Sequence, residues 1–232
     1  MRVHVAFTPG EQTPAPVGIV IDVLRATSTM TQALAAGYRR VLCCAEIEEA
    51  RAIAASEGSA KLAGERRLEH IEGFDFGNSP REVAGPNAAA ETLVLTTTNG
   101  TRLLVAAAAR FEHVLVGSLL NLAAVADAAR ATREDVVVLC AGVLGELAID
   151  DAYCAGRIVT ALGGDDADSA TAARRLAESY PDALAGLGAS QSARNLRRHG
   201  LEDDIEWCAR ENALDVVPRF VRTVGVAAEV AL

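Results

Sequence analysis

The sequence predicts an α/β protein with three layers, α/β/α, around a largely parallel or mixed central sheet. Short apolar runs alternate with longer segments of helical periodicity along most of the 232 residues, which is the order found when helices cover both faces of a sheet. The apolar runs contain few polar interruptions, as in strands that are buried on both sides. No low-complexity linker or clean repeat divides the chain, so a single domain over residues 1–232 is predicted.

The first elements illustrate how the patterns are interpreted. Residues 2–7 (RVHVAF) alternate in polarity and predict a strand. Residues 17–22 (VGIVID) form an apolar run that ends in a carboxylate, and the next segment predicts a helix with Thr27 or Ser28 as N-cap and Gly37 at its end. The later predictions are strands at 39–44, 92–96, 113–118 and 135–142, helices at 46–57, 101–109, 121–131, 151–162 and 165–179, and a tail with a basic helix (Arg194, Arg197, Arg198) before a strand-like segment at 224–232.

Residues 58–87 interrupt this alternation with several Gly and Pro residues and many charges, and we predict a long loop there. Long loops without secondary structure of their own are often functional. Phe74 and Phe76 flank Asp75, and their burial is expected to hold Asp75 and Asn78 in place.

Composition excludes several classes of function. The net charge is -9, so nucleic-acid binding, which uses basic faces, is not expected. Membrane insertion is not expected either, because no apolar stretch approaches the roughly 20 residues of a span. Arg2 and His4 interrupt the first apolar residues, so no signal peptide is expected. Five Cys without regular spacing predict a reducing compartment and hence a cytoplasmic protein.

Polar side chains follow four of the predicted strands at the point where each strand ends. Each end precedes a helix, whose first N–H groups and partial positive charge favour anions. Any one of these segments is also explained by helix capping and turn formation, but the four together favour a shared polar site. The residues are Asp22, Arg25, Thr27 and Ser28; Thr98, Asn99, Gly100, Thr101 and Arg102; Ser118 and Asn121; and Cys140, Gly142, Asp150 and Asp151.

Carboxylates supply candidate ligands for a hard cation, since Mg²⁺ uses one or two of them together with water and substrate phosphate. The candidates are Asp22, Glu65, Asp75, Asp150 and Asp151. A solvated surface charge is the simpler explanation for a single carboxylate, but Asp22 directly terminates an apolar strand. Asp150 has an alternative role as the cap of the helix at 151–162, which would leave Asp151 for ligation or a salt bridge.

Arginines supply candidate contacts to the anion. Arg25, Arg66 and Arg102 are placed to make bidentate contacts with phosphate, carboxylate or sulfonate, with surface solvation as the alternative for each. Known signatures are absent: no G-x-G-x-x-G follows a strand and there is no Walker A pattern. Glu146 stands where a Cys-dependent phosphatase loop starting at Cys140 would need Arg. The thiols are therefore predicted to be small core residues, with a site role left open for Cys140.

Several motifs, taken in order, resemble those of the 2-phosphosulfolactate phosphatase family, and the resemblance covers nearly the whole chain. They are IDVLRATST (21–29), GER (64–66), GFDFGNSPRE (73–82), TTNGTR (97–102), GS with Asn121 (117–121), CAG (140–142), DDAYCAG (150–156) and DDIEWCARENALDVVP (203–218). The chain departs from the family at Asp150, where members tend to have Glu, and at Asn212, where an Asp is common.

The resemblance implies a three-layer α/β/α fold and a Mg²⁺-dependent phosphatase acting on a small anionic phosphate ester. The implied reaction converts 2-phospho-3-sulfolactate to 3-sulfolactate and phosphate, a step of coenzyme M biosynthesis. Two alternatives stay open: a phosphatase of other 2-hydroxy-acid phosphates, and a non-catalytic binding protein for phosphorylated or sulfonated acids. Homo-oligomer formation is also left open.

Together, the strand-end pattern and the resemblance predict the site residues. Catalytic roles are predicted for Asp22, Arg25, Arg66, Asn99, Thr101, Arg102 and Ser118, with Asp22 either a nucleophile or a metal ligand. Substrate contacts are predicted from Thr27, Ser28, Asn78, Ser79, Thr98, Gly100, Asn121, Cys140 and Gly142. The predicted Mg²⁺ ligands are Asp22, Glu65, Asp75 and Asp151.

Overall fold

A computed structural model describes residues 1–85 and 92–232. The strands are β1 (Arg2–Ala6), β2 (Val17–Ile21), β3 (Arg40–Cys44), β4 (Ala60–Arg66), β5 (Glu69–His70), β6 (Thr92–Thr96), β7 (His113–Gly117), β8 (Val136–Cys140), β9 (Asp165–Asp166), β10 (Arg219–Val224) and β11 (Ala227–Ala231). The helices are α1 (Ala26–Ala35), α2 (Ile47–Ser56), α3 (Pro80–Val83), α4 (Gly100–Ala108), α5 (Leu122–Thr132), α6 (Ile149–Leu162), α7 (Asp168–Glu178), α8 (Ala183–Gly188), α9 (Gln191–Arg198) and α10 (Glu202–Cys208). None of these helices is long and apolar enough to cross a membrane.

The described strands form one mixed sheet in the order β5-β4-β6-β3-β11-β10-β7-β2-β8-β1-β9. Strands β4, β6 and β3 are parallel to one another, and so are β7, β2, β8, β1 and β9. The hairpin β10–β11 lies between these two groups and pairs antiparallel with β3 on one side and β7 on the other. Three successive antiparallel pairings mean that the two parallel groups run in opposite directions.

Both parallel groups contribute to one apolar core. Val20 of β2 and Leu139 of β8 belong to the same cluster as Leu95 of β6, together with Met30 of α1 and Leu104 of α4. Because α1 follows β2 and α4 follows β6, this shared core brings the ends of two oppositely directed strands together. Helices α5 to α10 cover the other face of the parallel group that contains β7, β2, β8, β1 and β9. Helix α2 covers the other face of β3 and β6. The predicted three-layer α/β/α fold is confirmed.

Two predicted helix starts are wrong. Arg25 is the N-cap of α1, and Thr27 and Ser28 lie inside the helix. Their hydroxyls donate to backbone carbonyl oxygens that precede the helix, at 2.9 and 2.8 Å, instead of capping free N–H groups. Helix α6 starts at Ile149 with Ala148 as N-cap, so Asp150 lies in its first turn and does not cap it.

The predicted loop at 58–87 is wrong where the structure has β4, β5 and α3, and its last two positions lie outside the described residues. Strand β4 occupies Ala60–Arg66 and pairs parallel to β6. Gly64 and the charged residues of β4 obscure the strand pattern in the sequence. The structure nevertheless requires a glycine at position 64. A Cβ at Gly64 would lie 2.1 Å from the carbonyl oxygen of Thr96, and φ is +152°. The close approach of β4 to β6 therefore depends on the absence of a side chain.

Candidate active site

A cavity of about 330 Å³ opens where β2, β4, β6 and β8 end. Its lining comprises Asp22, Leu24 and Arg25 after β2, Glu65, Arg67 and Leu68 at the end of β4, Asn78 before α3, Thr98 and Asn99 after β6, Gly142, Val143, Leu144, Asp150 and Asp151 after β8, and Ser192, Asn195, Leu196 and His199 on or just after α9. The cavity thus gathers three of the four polar strand ends and part of the glycine-rich segment.

Asp22 lies at the base of this site, held by the starts of two helices. Backbone N–H groups of Ala26 and Gly100 donate to its carboxylate, the first at 3.3 Å. Burial raises the pKa of Asp22 from 3.8 to about 7, against the lowering effect of these N–H groups, and the charges of Glu65 and Asp150 raise the pKa further. Because the ionised form of Asp22 is disfavoured at this position, the site favours a bound proton or a bound cation.

Asp151 joins the ends of β2 and β8. Its two carboxylate oxygens accept hydrogen bonds from the backbone N–H groups of Val23 and Gly142, both at 2.9 Å. Burial and the neighbouring aspartates raise its pKa well above the usual range. Burial also raises the pKa of Asp150 to about 6, although Ser192 Oγ donates to Asp150 Oδ1 at 3.1 Å and opposes the shift. Carboxyl groups are therefore crowded at this side of the cavity, where burial favours a bound proton or cation.

Glu65 organises the β4 and β6 ends. Its Oε1 accepts from the backbone N–H of Thr98 at 2.8 Å, and its Oε2 accepts from the N–H of Leu68 at 2.7 Å and from the Thr98 hydroxyl at 3.1 Å. Each carboxylate oxygen can accept more than one hydrogen bond or a metal. Glu65 is 6% exposed, so it adds a fourth buried carboxylate to the cavity.

Positive charge in the cavity comes from two arginines. Arg25 is 3% exposed and ion-paired, with Nη1 2.6 Å from Asp204 Oδ2. Its Nε and the Oδ1 of Asn78 are buried without a hydrogen-bond partner among the described residues. Arg67 lies just beyond β4 with a left-handed φ of 55°. His199 completes the wall, with Nδ1 2.8 Å from the carbonyl oxygen of residue 195.

Arg66 and Arg102 lie outside this cavity. The guanidinium of Arg66 donates to the carbonyl oxygen of Ala45 at 2.9 Å and to Thr96 Oγ1 at 2.8 Å, and so ties β4 to the neighbouring strands. Arg102 forms a half-exposed ion pair with Glu46 at 2.8 Å. Both guanidinium groups are engaged by protein, which is why the structure does not bring them to the cluster of carboxylates.

Asp75 and Ser118 also lie elsewhere. Asp75 pairs with Lys61 Nζ at 2.7 Å and accepts from the backbone N–H of Leu62 at 2.9 Å. Ser118 donates through its N–H and hydroxyl to Asn121 Oδ1 at 2.9 and 3.0 Å. Asn121 Nδ2 then donates to two backbone carbonyl oxygens. These polar groups satisfy one another, and the fourth strand end is a closed structural network.

Other predicted contact residues support the walls from behind. Thr101 Oγ1 accepts from the N–H of Thr97 at 2.9 Å, which fixes the turn into α4. Ser79 Oγ donates to Asp204 Oδ1 at 2.6 Å. Burial raises the pKa of the Cys140 thiol well above its usual range, as expected for a neutral core residue. Gly100 touches Asp22 directly, since a Cβ there would lie 2.5 Å from Asp22 Oδ2.

The structure adds lining residues that the sequence analysis did not select: Leu24, Arg67, Leu68, Val143, Leu144, Ser192, Asn195, Leu196 and His199. Arg67 was overshadowed by its neighbour Arg66 in the same charged pair. The residues of α9 belong to a helix that was predicted for its basic composition. Nothing local in that segment indicates that one face of the helix closes a cavity whose other lining residues come from much earlier in the chain.

The carboxylates have the chemistry of a hard-cation site. Among the residues described, no three His, Cys, Asp or Glu side chains form a preassembled metal cluster. Mg²⁺ does not need one, because it binds through one or two carboxylates and keeps water and phosphate oxygens as its other ligands. Asp22, Asp150 and Asp151 all line the cavity, and one or two of their carboxylates would be enough for such an ion.

The fold and the cavity define an α/β protein with a polar, carboxylate-rich site. Comparison with known proteins identifies the family: a sequence model of 2-phosphosulpholactate phosphatase matches residues 4–223. The chain belongs to the 2-phosphosulfolactate phosphatase family, as its motifs predicted.

Relatives from several bacteria are similar over almost their full length. A probable 2-phosphosulfolactate phosphatase of Thermus thermophilus is 38% identical, with 98% of each chain covered. One of Thermotoga petrophila is 36% identical, covering 98% of this chain and 99% of the relative. One of Deinococcus radiodurans is 37% identical over 95% of this chain and 94% of the relative.

Proposed function

We propose that this chain is a Mg²⁺-dependent phosphatase that hydrolyses 2-phospho-3-sulfolactate to 3-sulfolactate and phosphate. The main support is that family motifs far apart in the sequence meet in one cavity. Asp22 and Arg25, Glu65, and Asp151 come from three different segments, and all four residues line it. The names of the relatives agree with this activity.

The charges of the cavity support the metal requirement. The substrate carries phosphate, carboxylate and sulfonate groups, whereas the cavity presents Asp22, Glu65, Asp150 and Asp151 against two arginines. A trianionic or more highly charged ligand would be repelled unless a cation offset these carboxylates. Mg²⁺ held by one or two of the four would neutralise charge on the phosphate oxygens. Asp75 is left out of this set because it is paired with Lys61.

The protein's own groups then orient the substrate. Arg25 is assigned to the phosphate because it lines the same cavity as Asp22 and, within the described residues, its buried Nε has no hydrogen-bond partner. Arg67 and His199 are assigned to the carboxylate or sulfonate. Phosphoryl transfer depends largely on such positioning and on stabilisation of charge.

Asp22 takes one of two roles, as nucleophile that forms a phosphoenzyme or as metal ligand. Substitution of Asp22 by Asn separates them. Loss of turnover with Mg²⁺ binding retained in titration calorimetry would identify the nucleophile, whereas loss of Mg²⁺ binding would identify the ligand.

Phosphate release from a panel of esters tests the whole proposal. The panel contains phosphosulfolactate, phospholactate and phosphoglycolate, each with Mg²⁺, without it and after chelation. We expect fastest release from phosphosulfolactate and loss of release on chelation. No release from any ester would contradict the enzyme and favour a binding protein. Release from phospholactate or phosphoglycolate alone would contradict the sulfonated substrate.

We further propose that the protein works in the reducing environment of the cytoplasm, because all five cysteines are buried and unpaired. A role in coenzyme M biosynthesis follows only if phosphosulfolactate is the preferred ester of the panel. Homo-oligomer formation stays a prediction.

A further inference from the structure

Helix α10 contacts α1 with residues that share one helical face. Trp207 Nε1 donates to Gln32 Oε1 at 3.1 Å, and the Cys208 thiol lies near Ser28. Asp204, one turn before Cys208, contacts the N-cap of the same helix. Positions separated by three and four residues face the same side of a helix. Side chains on one face of α10 therefore reach the N-cap and the first turns of α1.

Asp204 holds two separate walls of the cavity through its two oxygens. Its Oδ2 accepts from Arg25 Nη1 at 2.6 Å, and its Oδ1 accepts from Ser79 Oγ at 2.6 Å. Asp204, Arg25 and Ser79 are 1%, 3% and 4% exposed. Charge-assisted hydrogen bonds in a buried setting are strong and directional. The next residue before Ser79 is Asn78, which lines the cavity.

The groups that Asp204 holds retain unused hydrogen-bonding capacity. Within the described residues, Arg25 Nε and Asn78 Oδ1 are buried without partners. Buried polar atoms are usually satisfied, and exceptions call for a specific reason. A ligand in the cavity that both residues line supplies that reason, with its phosphate oxygens facing the guanidinium and a hydroxyl or water donor facing the amide oxygen.

We propose that Asp204 is a positioning residue that fixes Arg25 directly, and Asn78 through Ser79, in the orientation that binds the phosphate ester. The inference rests on the proposed phosphatase function. Asp204 does not line the cavity itself and touches no reacting atom, so its effect on turnover must pass through Arg25 and Asn78.

A double-substitution cycle tests this dependence. Asp204→Asn keeps the size of the side chain but removes its charge. It is expected to lower kcat/KM by about ten-fold or more, because a displaced cation misorients the phosphate. In an Arg25→Ala background the same substitution should lower kcat/KM by clearly less than in the wild type, since the route through Arg25 is gone and only the route through Ser79 and Asn78 remains. An equal loss in both backgrounds, measured on folded protein, would show that Asp204 has only a structural role.

Asp203 provides a matched control on the same helix. It is exposed and pairs with Arg81 at 2.8 Å, so Asp203→Asn should leave kcat/KM within about two-fold. If Asp204→Asn does not fold, Ser79→Ala tests the same clamp, because it frees one Asp204 oxygen and keeps the ion pair. A drop of about three-fold or more is expected, and unchanged kcat/KM would overturn the proposal.

A binding measurement separates failure of this inference from failure of the proposed function. The dissociation constant of inorganic phosphate is measured by calorimetry with Mg²⁺ present. If the wild-type protein releases no phosphate from any ester, the phosphatase function fails, but Asp204→Asn should still weaken phosphate binding by about five-fold or more. Unchanged phosphate affinity in that variant, or no phosphate binding by the wild type, would overturn the positioning role.

Discussion

Substitution of Gly100 by Ala should abolish most activity while leaving most of the protein folded. Gly100 is the first residue of α4, and its backbone lies directly against Asp22 and α1. A Cβ would lie 2.5 Å from Asp22 Oδ2, 2.8 Å from Asp22 Cβ and 2.6 Å from Ala26 Cβ. Carbon atoms normally approach to about 3.5–4.0 Å. The start of α4 must therefore move by about 1 Å away from α1 and Asp22.

The expected magnitudes differ for stability and activity. Overpacking of this kind costs about 1–3 kcal/mol, and the better helix propensity of Ala returns up to about 1 kcal/mol. The net loss, at most about 3 kcal/mol, is smaller than the usual stability of about 5–15 kcal/mol. A displacement of about 1 Å at Asp22, by contrast, should lower kcat/KM by about 100-fold.

The assay compares urea unfolding with phosphate release for Gly100→Ala and for a control, Gly58→Ala. A Cβ at Gly58 meets nothing within 4 Å, so the control should match the wild type in both measurements. Wild-type turnover by Gly100→Ala would show that the contact with Asp22 has no part in catalysis. A loss of activity no larger than the unfolded fraction would lead to the same conclusion.

Three further predictions concern charge. Without metal, the free energy of unfolding of the wild type relative to that of Asp22→Asn should fall as the pH rises from about 4 to about 7. Burial raises the pKa of Asp22 to about 7, so in this range the folded state binds more protons than the unfolded state. A difference between the two melting temperatures that stays constant over this pH range would contradict the prediction. Mg²⁺ at pH 8 should raise the melting temperature of the wild type, and the gain should be smaller in Asp150→Asn if Asp150 contributes to the ion's site. Arg67→Ala should raise KM several-fold more than Arg102→Ala, since only Arg67 lines the cavity; the reverse order would restore the sequence-based role of Arg102.

The sequence predicted those features that depend on local periodicity. The buried strands and most helices were recognisable because apolar residues recur at the spacing of each element. Asp22 stood out because it directly follows a buried strand, and the structure places it at the base of the cavity. The glycine-rich segment concealed β4 because Gly64 and nearby charges break the strand pattern.

Features that depend on distant pairing were not predictable in this way. Arg66 and Arg67 are equivalent in sequence, and only the pairing of β4 with its neighbours turns Arg66 toward Thr96 and leaves Arg67 at the cavity. His199 resembles any polar residue near a surface helix, and its place in the wall depends on how α9 packs against α6. The opposite directions of the two parallel groups depend on where the hairpin β10–β11 inserts.

The position of this hairpin has a consequence for synthesis on the ribosome. Residues 219–231 form the strands that join β3 to β7 in the described sheet, and they emerge after all the other strands. Until then a nascent chain presents two half-sheets, each with an unpaired edge, and such edges favour association with other chains. We therefore expect the nascent chain to depend strongly on chaperones during translation. Substitutions that weaken the hairpin should increase this dependence.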